Sequence, residues 1–102
     1  MILAMPYKHG NIDGFDDSKL FALYHLENNQ VVKKDLVKPN LVGEELVEFL
    51  YRSQVNQLMV PLLSDDLKFE LDFYQIDYIS GVSGEADELI DRYLEGEFQD
   101  DE

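Results

Sequence analysis

The chain has 102 residues and no cysteine. That single absence removes disulfides, thiolate zinc sites, CxxC redox chemistry and cysteine-ligated iron–sulfur clusters, so any metal must rely on histidine, carboxylate or a partner's ligands. Positive charge is scarce as well: 8 Lys and Arg stand against 22 Asp and Glu, a formal net charge of −14. Such a balance repels a phosphate backbone and provides no basic stripe, so neither nucleic acid nor an anionic membrane is an expected partner. Long apolar runs are missing. Met1-Ile2-Leu3-Ala4-Met5-Pro6 lacks a basic leader and stops at proline and Lys8, and nothing else approaches membrane-spanning length, so a soluble, cytoplasmic protein is expected. Catalytic constellations are missing too. Ser18, Ser53, Ser64, Ser80 and Ser83 have no evident His/Asp arrangement, and Gly81-Val82-Ser83-Gly84 is not the Gly-x-Ser-x-Gly elbow of hydrolases, so the chain is read as a non-enzyme.

Against these gaps, hydrophobic residues make up 45% and aromatics 12%, enough for one core of moderate size at this length. A single domain is expected over residues 1–96, with an acidic tail over 97–102. Residues 1–7 read as a buried strand that meets Pro6 and the turn-rich segment His9-Gly10-Asn11-Ile12-Asp13-Gly14. Residues 19–27 and 31–38 read as two strands joined by Asn28-Asn29, which tolerates positive φ and suits a tight hairpin; the charged second strand is expected at a sheet edge. From about Gly43 to Val55 the apolar spacing predicts an amphipathic helix with Glu44, Glu45 and Glu48 outside. Residues 57–62 give a short strand, and Ser64-Asp65-Asp66 caps a helix with Leu67, Leu71 and Tyr74 on one stripe. Residues 76–80 form the last strand, and Ala86, Leu89, Ile90, Tyr93 and Leu94 recur at helical spacing. The order β, β-hairpin, α, β, α, β, α predicts a three-layer α/β/α domain with a mixed sheet. Ligands of such sheets bind beyond the carboxyl ends of the strands, here the loops after Tyr7, Leu62 and Ser80.

One stretch joins fold to ligand chemistry. In Ile79-Ser80-Gly81-Val82-Ser83-Gly84, two glycines surround a serine just before a helix, so Ser83 is the expected N-cap and the free N–H groups favour an anion. The plainer reading is a tight strand-to-helix connection.

This stretch, together with Met1-Ile2-Leu3-Ala4-Met5-Pro6, the segment from Gly14-Phe15 to Phe21-Ala22-Leu23-Tyr24, the hairpin, and Tyr93-Leu94-Glu95-Gly96, resembles the dinitrogenase iron-molybdenum cofactor biosynthesis family. That is the group of NifX, NafY and the C-terminal domain of NifB, and nearly the whole chain matches it in order and spacing. The resemblance implies a ribonuclease H-like motif with a five-stranded mixed sheet. It also implies a non-catalytic carrier or accessory protein that binds the iron-molybdenum cofactor or its iron–sulfur precursor, with Gly81, Val82, Ser83, Gly84 and Phe15 as cofactor-binding positions. Two departures stand out. The family's His-Phe-Gly is replaced by Gly14-Phe15-Asp16, and the glycine-rich loop after the fourth strand by Pro61-Leu62-Leu63-Ser64-Asp65.

His9, directly after the first strand, is the candidate substitute ligand for a metal cluster; its alternative is a surface loop histidine. His25 lies within a strand and is read as facing solvent or a helix. Asp13, Asp16 and Asp17 cluster in one loop but match no EF-hand spacing, which favours turn and solvation roles. A ribonuclease H type nuclease needs acidic residues on its first strand, and residues 1–7 contain none. The alternative function, from a different class, is a protein-interaction or regulatory module that has lost cofactor binding and meets a basic partner through its acidic surface, Asp100-Asp101-Glu102 included.

Overall fold

The computed structural model describes residues 1–16 and 19–98. The elements run β1 (Ile2–Lys8), β2 (Asn11–Ile12), β3 (Leu20–Glu27), β4 (Gln30–Val37), α1 (Gly43–Arg52), β5 (Gln57–Met59), α2 (Asp65–Phe73), β6 (Asp77–Ile79) and α3 (Ala86–Leu94). They form one mixed sheet in the order β4-β3-β1-β5-β6. β1 pairs in parallel with β5 and β5 with β6, whereas β3 runs antiparallel to both β1 and β4. The hairpin, the edge position of β4 and the parallel later strands are as expected.

The sheet has six strands, not the expected five. The addition is β2, which pairs with the end of β1 through Tyr7↔Ile12 and Lys8↔Asn11. His9 and Gly10, at φ 51° and 85°, make the two-residue turn between them. Two residues are too few to show an alternation, so only the turn signal was legible.

Alternation along the central strands feeds two separate hydrophobic clusters. Ala4, Phe21, Leu23, Leu58 and Val60 meet Leu46, Val47 and Leu50 of α1 and Leu67 and Leu71 of α2. Leu3, Met5, Ala22, Tyr24 and Met59 meet Ala86, Leu89 and Ile90 of α3. Burying each of the larger of these side chains is worth about 1.5–3 kcal/mol, so every helix is held chiefly by its apolar stripe. α2 is also capped as expected: the Leu67 N–H donates to Ser64 Oγ at 3.1 Å. Glu97 and Phe98, assigned to the tail, fold back on α3. Arg92 donates to Glu97 and lies 5.0 Å from the Phe98 ring centre. The remainder of the tail lies outside the described residues. No helix among the described residues is long and apolar enough to cross a membrane.

Candidate functional site at the strand carboxyl ends

Because β1, β5 and β6 are parallel, the loops after them emerge at one edge of the sheet. Backbone hydrogen bonds fasten them together. The Gly81 N–H donates to the Pro61 carbonyl at 3.0 Å, joining the loops after β6 and β5. Ile12 N–H donates to Gly84 O at 3.0 Å and Ala86 N–H to Gly10 O at 2.9 Å, joining the loop after β6 to the first hairpin. The N–H groups of Val82, Ser83 and Gly84 take no part in these ties.

Gly81 and Gly84 sit at φ 78° and 119°, yet a Cβ at either would meet nothing within 4 Å. Backbone angle, not a crowded neighbour, requires glycine there. Ser83 is not the N-cap of α3. That position is Glu85, which makes no side-chain capping bond. With Gly84 turning the chain, the helix begins two residues later than a Ser83 cap requires, and its first N–H is already satisfied by Gly10. Asp87 and Glu88 occupy the first turn, where the helix dipole favours negative charge.

Asp87 anchors this helix start to the antiparallel half of the sheet. Its Oδ1 accepts from the buried Tyr24 hydroxyl at 2.9 Å and from Lys34 Nζ at 2.9 Å. Lys34 also lies 5.0 Å from the Tyr7 ring centre and 5.3 Å from that of Tyr24. The bonds from Lys34 and Tyr24 hold the Asp87 carboxyl below its ordinary value. Burial works against the charge on Lys34, but its bond to Asp87, the Asp87 charge and Tyr7 together outweigh it and hold its pKa above the ordinary lysine range. Burial and the bond to Asp87 both raise Tyr24.

His9 is exposed at the turn between β1 and β2. It borders a cavity of about 370 Å³ that Lys8, Lys19 and Lys38 also line, three of the six lysines in the chain. Register explains the convergence. Lys8 follows Tyr7 on β1, Tyr7 opposes Leu20 with Lys19 just before it, and Phe21 opposes Val37 with Lys38 just after it. Three strand ends therefore bring three lysines to the lining of one cavity in an acidic protein. Individually these lysines sit in unremarkable contexts, and only the pairing register unites them.

Phe15 is buried, with its ring edge-on to Phe21 at a centroid distance of 5.6 Å. Gly14, Phe15 and Asp16 share a second cavity, of about 380 Å³, with Leu62, Leu63 and Ser64. The two loops that depart from the family pattern thus face each other. Asp13 borders the lysine cavity and Asp16 this one, while Asp17 lies outside the described residues. Among the described residues no group of three or more His, Asp or Glu is placed to hold a metal ion. His25 lies on β3 and its Nε2 is 3.1 Å from Asp35 of β4, a cross-strand pair at the sheet edge.

No protein-family model and no curated protein matches the chain. Solved structures do. PH0822 superposes with a TM-score of 0.88 at 19% identity, over 94% of this chain and 92% of that one. MJ0327 of Methanocaldococcus jannaschii, described as a candidate dinitrogenase, gives 0.78 at 19% identity, over 97% and 92%. TM1290 of Thermotoga, described as a candidate NifB protein of the DUF35 family, gives 0.73 at 19% identity, over 93% and 88%. The neighbours thus include the dinitrogenase and NifB descriptions that the resemblance implies, and at this identity the likeness is one of fold.

Proposed function

We propose that this chain is a small, non-catalytic carrier of an anionic metal cluster, with the iron-molybdenum cofactor or its iron–sulfur precursor as cargo. The observation that carries the reading is the convergence of Lys8, Lys19 and Lys38 beside His9 at the strand carboxyl ends. Three ammonium groups balance a multiply charged anion that the rest of this acidic surface repels. An imidazole that reaches the same cavity is a natural ligand for iron. The 81–84 loop is the second point of contact. Its N–H groups at Val82, Ser83 and Gly84 are available to sulfide or oxygen atoms of the cargo, and the bond from Ile12 N–H to Gly84 O ties it to the hairpin that carries His9. Phe15 contributes the wall of the neighbouring cavity. In this reading the domain is a three-layer, ribonuclease H-like scaffold, and the cluster supplies all of the chemistry.

The test is anaerobic mixing of the purified protein with iron–sulfur precursor, followed by size exclusion. Co-elution with a visible absorbance band is expected, and clean separation overturns the proposal. His9→Ala is expected to weaken retention and alter the band; an unchanged spectrum removes His9 as ligand.

A second reading is favoured by a specific observation. The family's ligand position is Gly14, beside a Phe15 packed into the core, while α1 and α2 present an exposed acidic and aromatic face. That combination supports a protein-interaction module. The acidic residues 100–102 named for this role lie outside the described residues.

A further inference from the structure

The helix pair α1 and α2 carries exposed aromatic surface that the core does not use. Phe69 and Phe73 are one turn apart on α2 and remain 74% and 73% exposed, and Tyr51 on α1 is 54% exposed. Apolar surface of this size standing in water is a feature of binding sites more than of solvated helices. The phenylalanines border a groove of about 450 Å³ between the two helices, together with Glu44, Asp66, Glu70 and Tyr74. Tyr74 continues the surface: its ring centre is 5.1 Å from those of both Phe73 and Tyr51. Among the described residues, neither this groove nor the adjoining cavity of Tyr51, Phe73, Tyr74 and Gln75 is lined by a Lys or Arg.

The charge selects the occupant. Three carboxylates converge on aromatic faces with no cation in the lining among the described residues; Arg52, whose charge reaches Tyr74, is paired with Glu48. Burial, with Glu44 and Asp66 nearby, raises the Glu70 carboxyl above its ordinary value. A second copy of this chain brings its own net charge of −14 and three more carboxylates to the same place, which opposes self-association there. A segment that presents apolar side chains flanked by arginine or lysine satisfies both halves of the surface. Its cations meet the carboxylates and stack on the aromatic rings, and a groove between two helices accepts a third helix.

We propose that the α1/α2 groove, built on Phe69, Phe73, Tyr74, Glu44, Asp66 and Glu70, docks a basic amphipathic helix of a partner protein. The proposal rests on the interaction reading and is independent of cargo loading.

The probe is a labelled synthetic 16-residue amphipathic helix of leucine, alanine and arginine; its control is a scramble of the same composition that has no apolar face. Anisotropy titrations are run at physiological salt with the 102-residue chain. The amphipathic peptide is expected to bind at least about tenfold more tightly than the scramble, and Phe69→Ser with Phe73→Ser to weaken it about tenfold. Because both rings are largely exposed, serine leaves the core intact, which circular dichroism verifies. Glu88→Gln with Asp91→Asn, which removes two negative charges from α3 outside the groove lining, is expected to change affinity less than about twofold. Backbone amide shifts on peptide addition are expected at Glu44 and from Asp66 to Tyr74. Equal binding of the scramble, equal weakening by the α3 variant, or shifts elsewhere overturns this face while leaving the interaction reading standing. No binding to either peptide overturns both. Sedimentation that shows a dimer lost in the Phe69→Ser, Phe73→Ser variant assigns the groove to a second copy and overturns the basic partner.

Discussion

The loop edge of the sheet and the α1/α2 face differ in charge, in how they are held and in what they leave exposed. At the loop edge, strand register gathers three lysines around His9, and backbone hydrogen bonds lock the surrounding loops to one another. On the helix face, three carboxylates surround aromatic rings that turn away from the core. A net charge of −14 describes neither place. What decides a partner is the local sign: three lysines line the cavity at the strand ends, whereas Arg52 on α1 pairs with Glu48 and no cation lines the groove between the helices among the described residues. One molecule thereby offers an anion-receptive edge and a cation-receptive face.

The largest expected effect breaks the first half of that contrast. Reversing the charge at Lys8→Glu, Lys19→Glu and Lys38→Glu together is expected to cost on the order of 3 kcal/mol in cluster loading, about 100-fold, since each exposed ion pair contributes up to about 1 kcal/mol. Retention after anaerobic loading measures it. Affinity for the amphipathic peptide is expected to stay within about threefold, since these side chains line a cavity that shares no residue with the helix groove and act there only through screened fields. A peptide affinity that rises as steeply as loading falls means that overall charge, not placement, governs binding. Next in size is Gly84→Ala. At φ 119° alanine is strained although nothing crowds its Cβ, so a loss of about 1–3 kcal/mol in urea unfolding is expected. Loading is expected to fall with it, because Gly84 O is the acceptor for Ile12 N–H.

Much of the frame behind this contrast was legible in the sequence, for local reasons. Asn28 and Asn29 adopt φ 53° and 63°, as the dipeptide predicts for a tight hairpin. Ser64 caps α2, and the Ala86, Leu89, Ile90 stripe buries α3, because both signals are complete within a few consecutive residues. The candidate sites were less legible because they depend on register and on what a face meets. Lys8, Lys19 and Lys38 are a site only once β1, β3 and β4 are aligned. Phe69 and Phe73 lie four residues apart, off the Leu67, Leu71 stripe, and that spacing was the available signal. Ser83 misled for a related reason: a serine before a helical pattern resembles a cap, but Gly84 carries the chain onward and delays the helix. The Phe15 ring packs against Phe21 in the core and still lines the neighbouring cavity, a placement that a motif match does not foresee.

A smaller effect separates the two regions by their response to pH. Asp87 is half of the clasp that holds α3 to β3 and β4, and its folded-state pKa is lowered. Such a carboxylate stabilises the fold fully above its ordinary value of 3.8, and that contribution is lost as pH falls through the lowered folded value. Asp87→Asn is therefore expected to cost about 1 kcal/mol at pH 7, a figure already discounted for the 65% exposure of the side chain. The deficit is expected to shrink steadily below pH 3.8. A deficit independent of pH identifies lost shape, not lost charge, as the cause.

The smallest effect has the opposite sign and belongs to the helix face. Glu70 has a raised carboxyl pKa, first through burial and then through Glu44 and Asp66. Its ionised form is therefore held at a cost to the fold, a cost present above the raised folded value and absent below the ordinary value of 4.5. Glu70→Gln is expected to stabilise the protein by about 0.3 kcal/mol at neutral pH, with the gain vanishing as the solution is acidified past that point. The same substitution is expected to weaken the amphipathic peptide by about twofold. Stability and affinity then move in opposite directions, which a residue serving only the fold does not produce. If Glu70→Gln lowers stability at pH 7, the carboxylates are not in mutual repulsion and the groove loses the uncompensated charge on which its choice of partner depends.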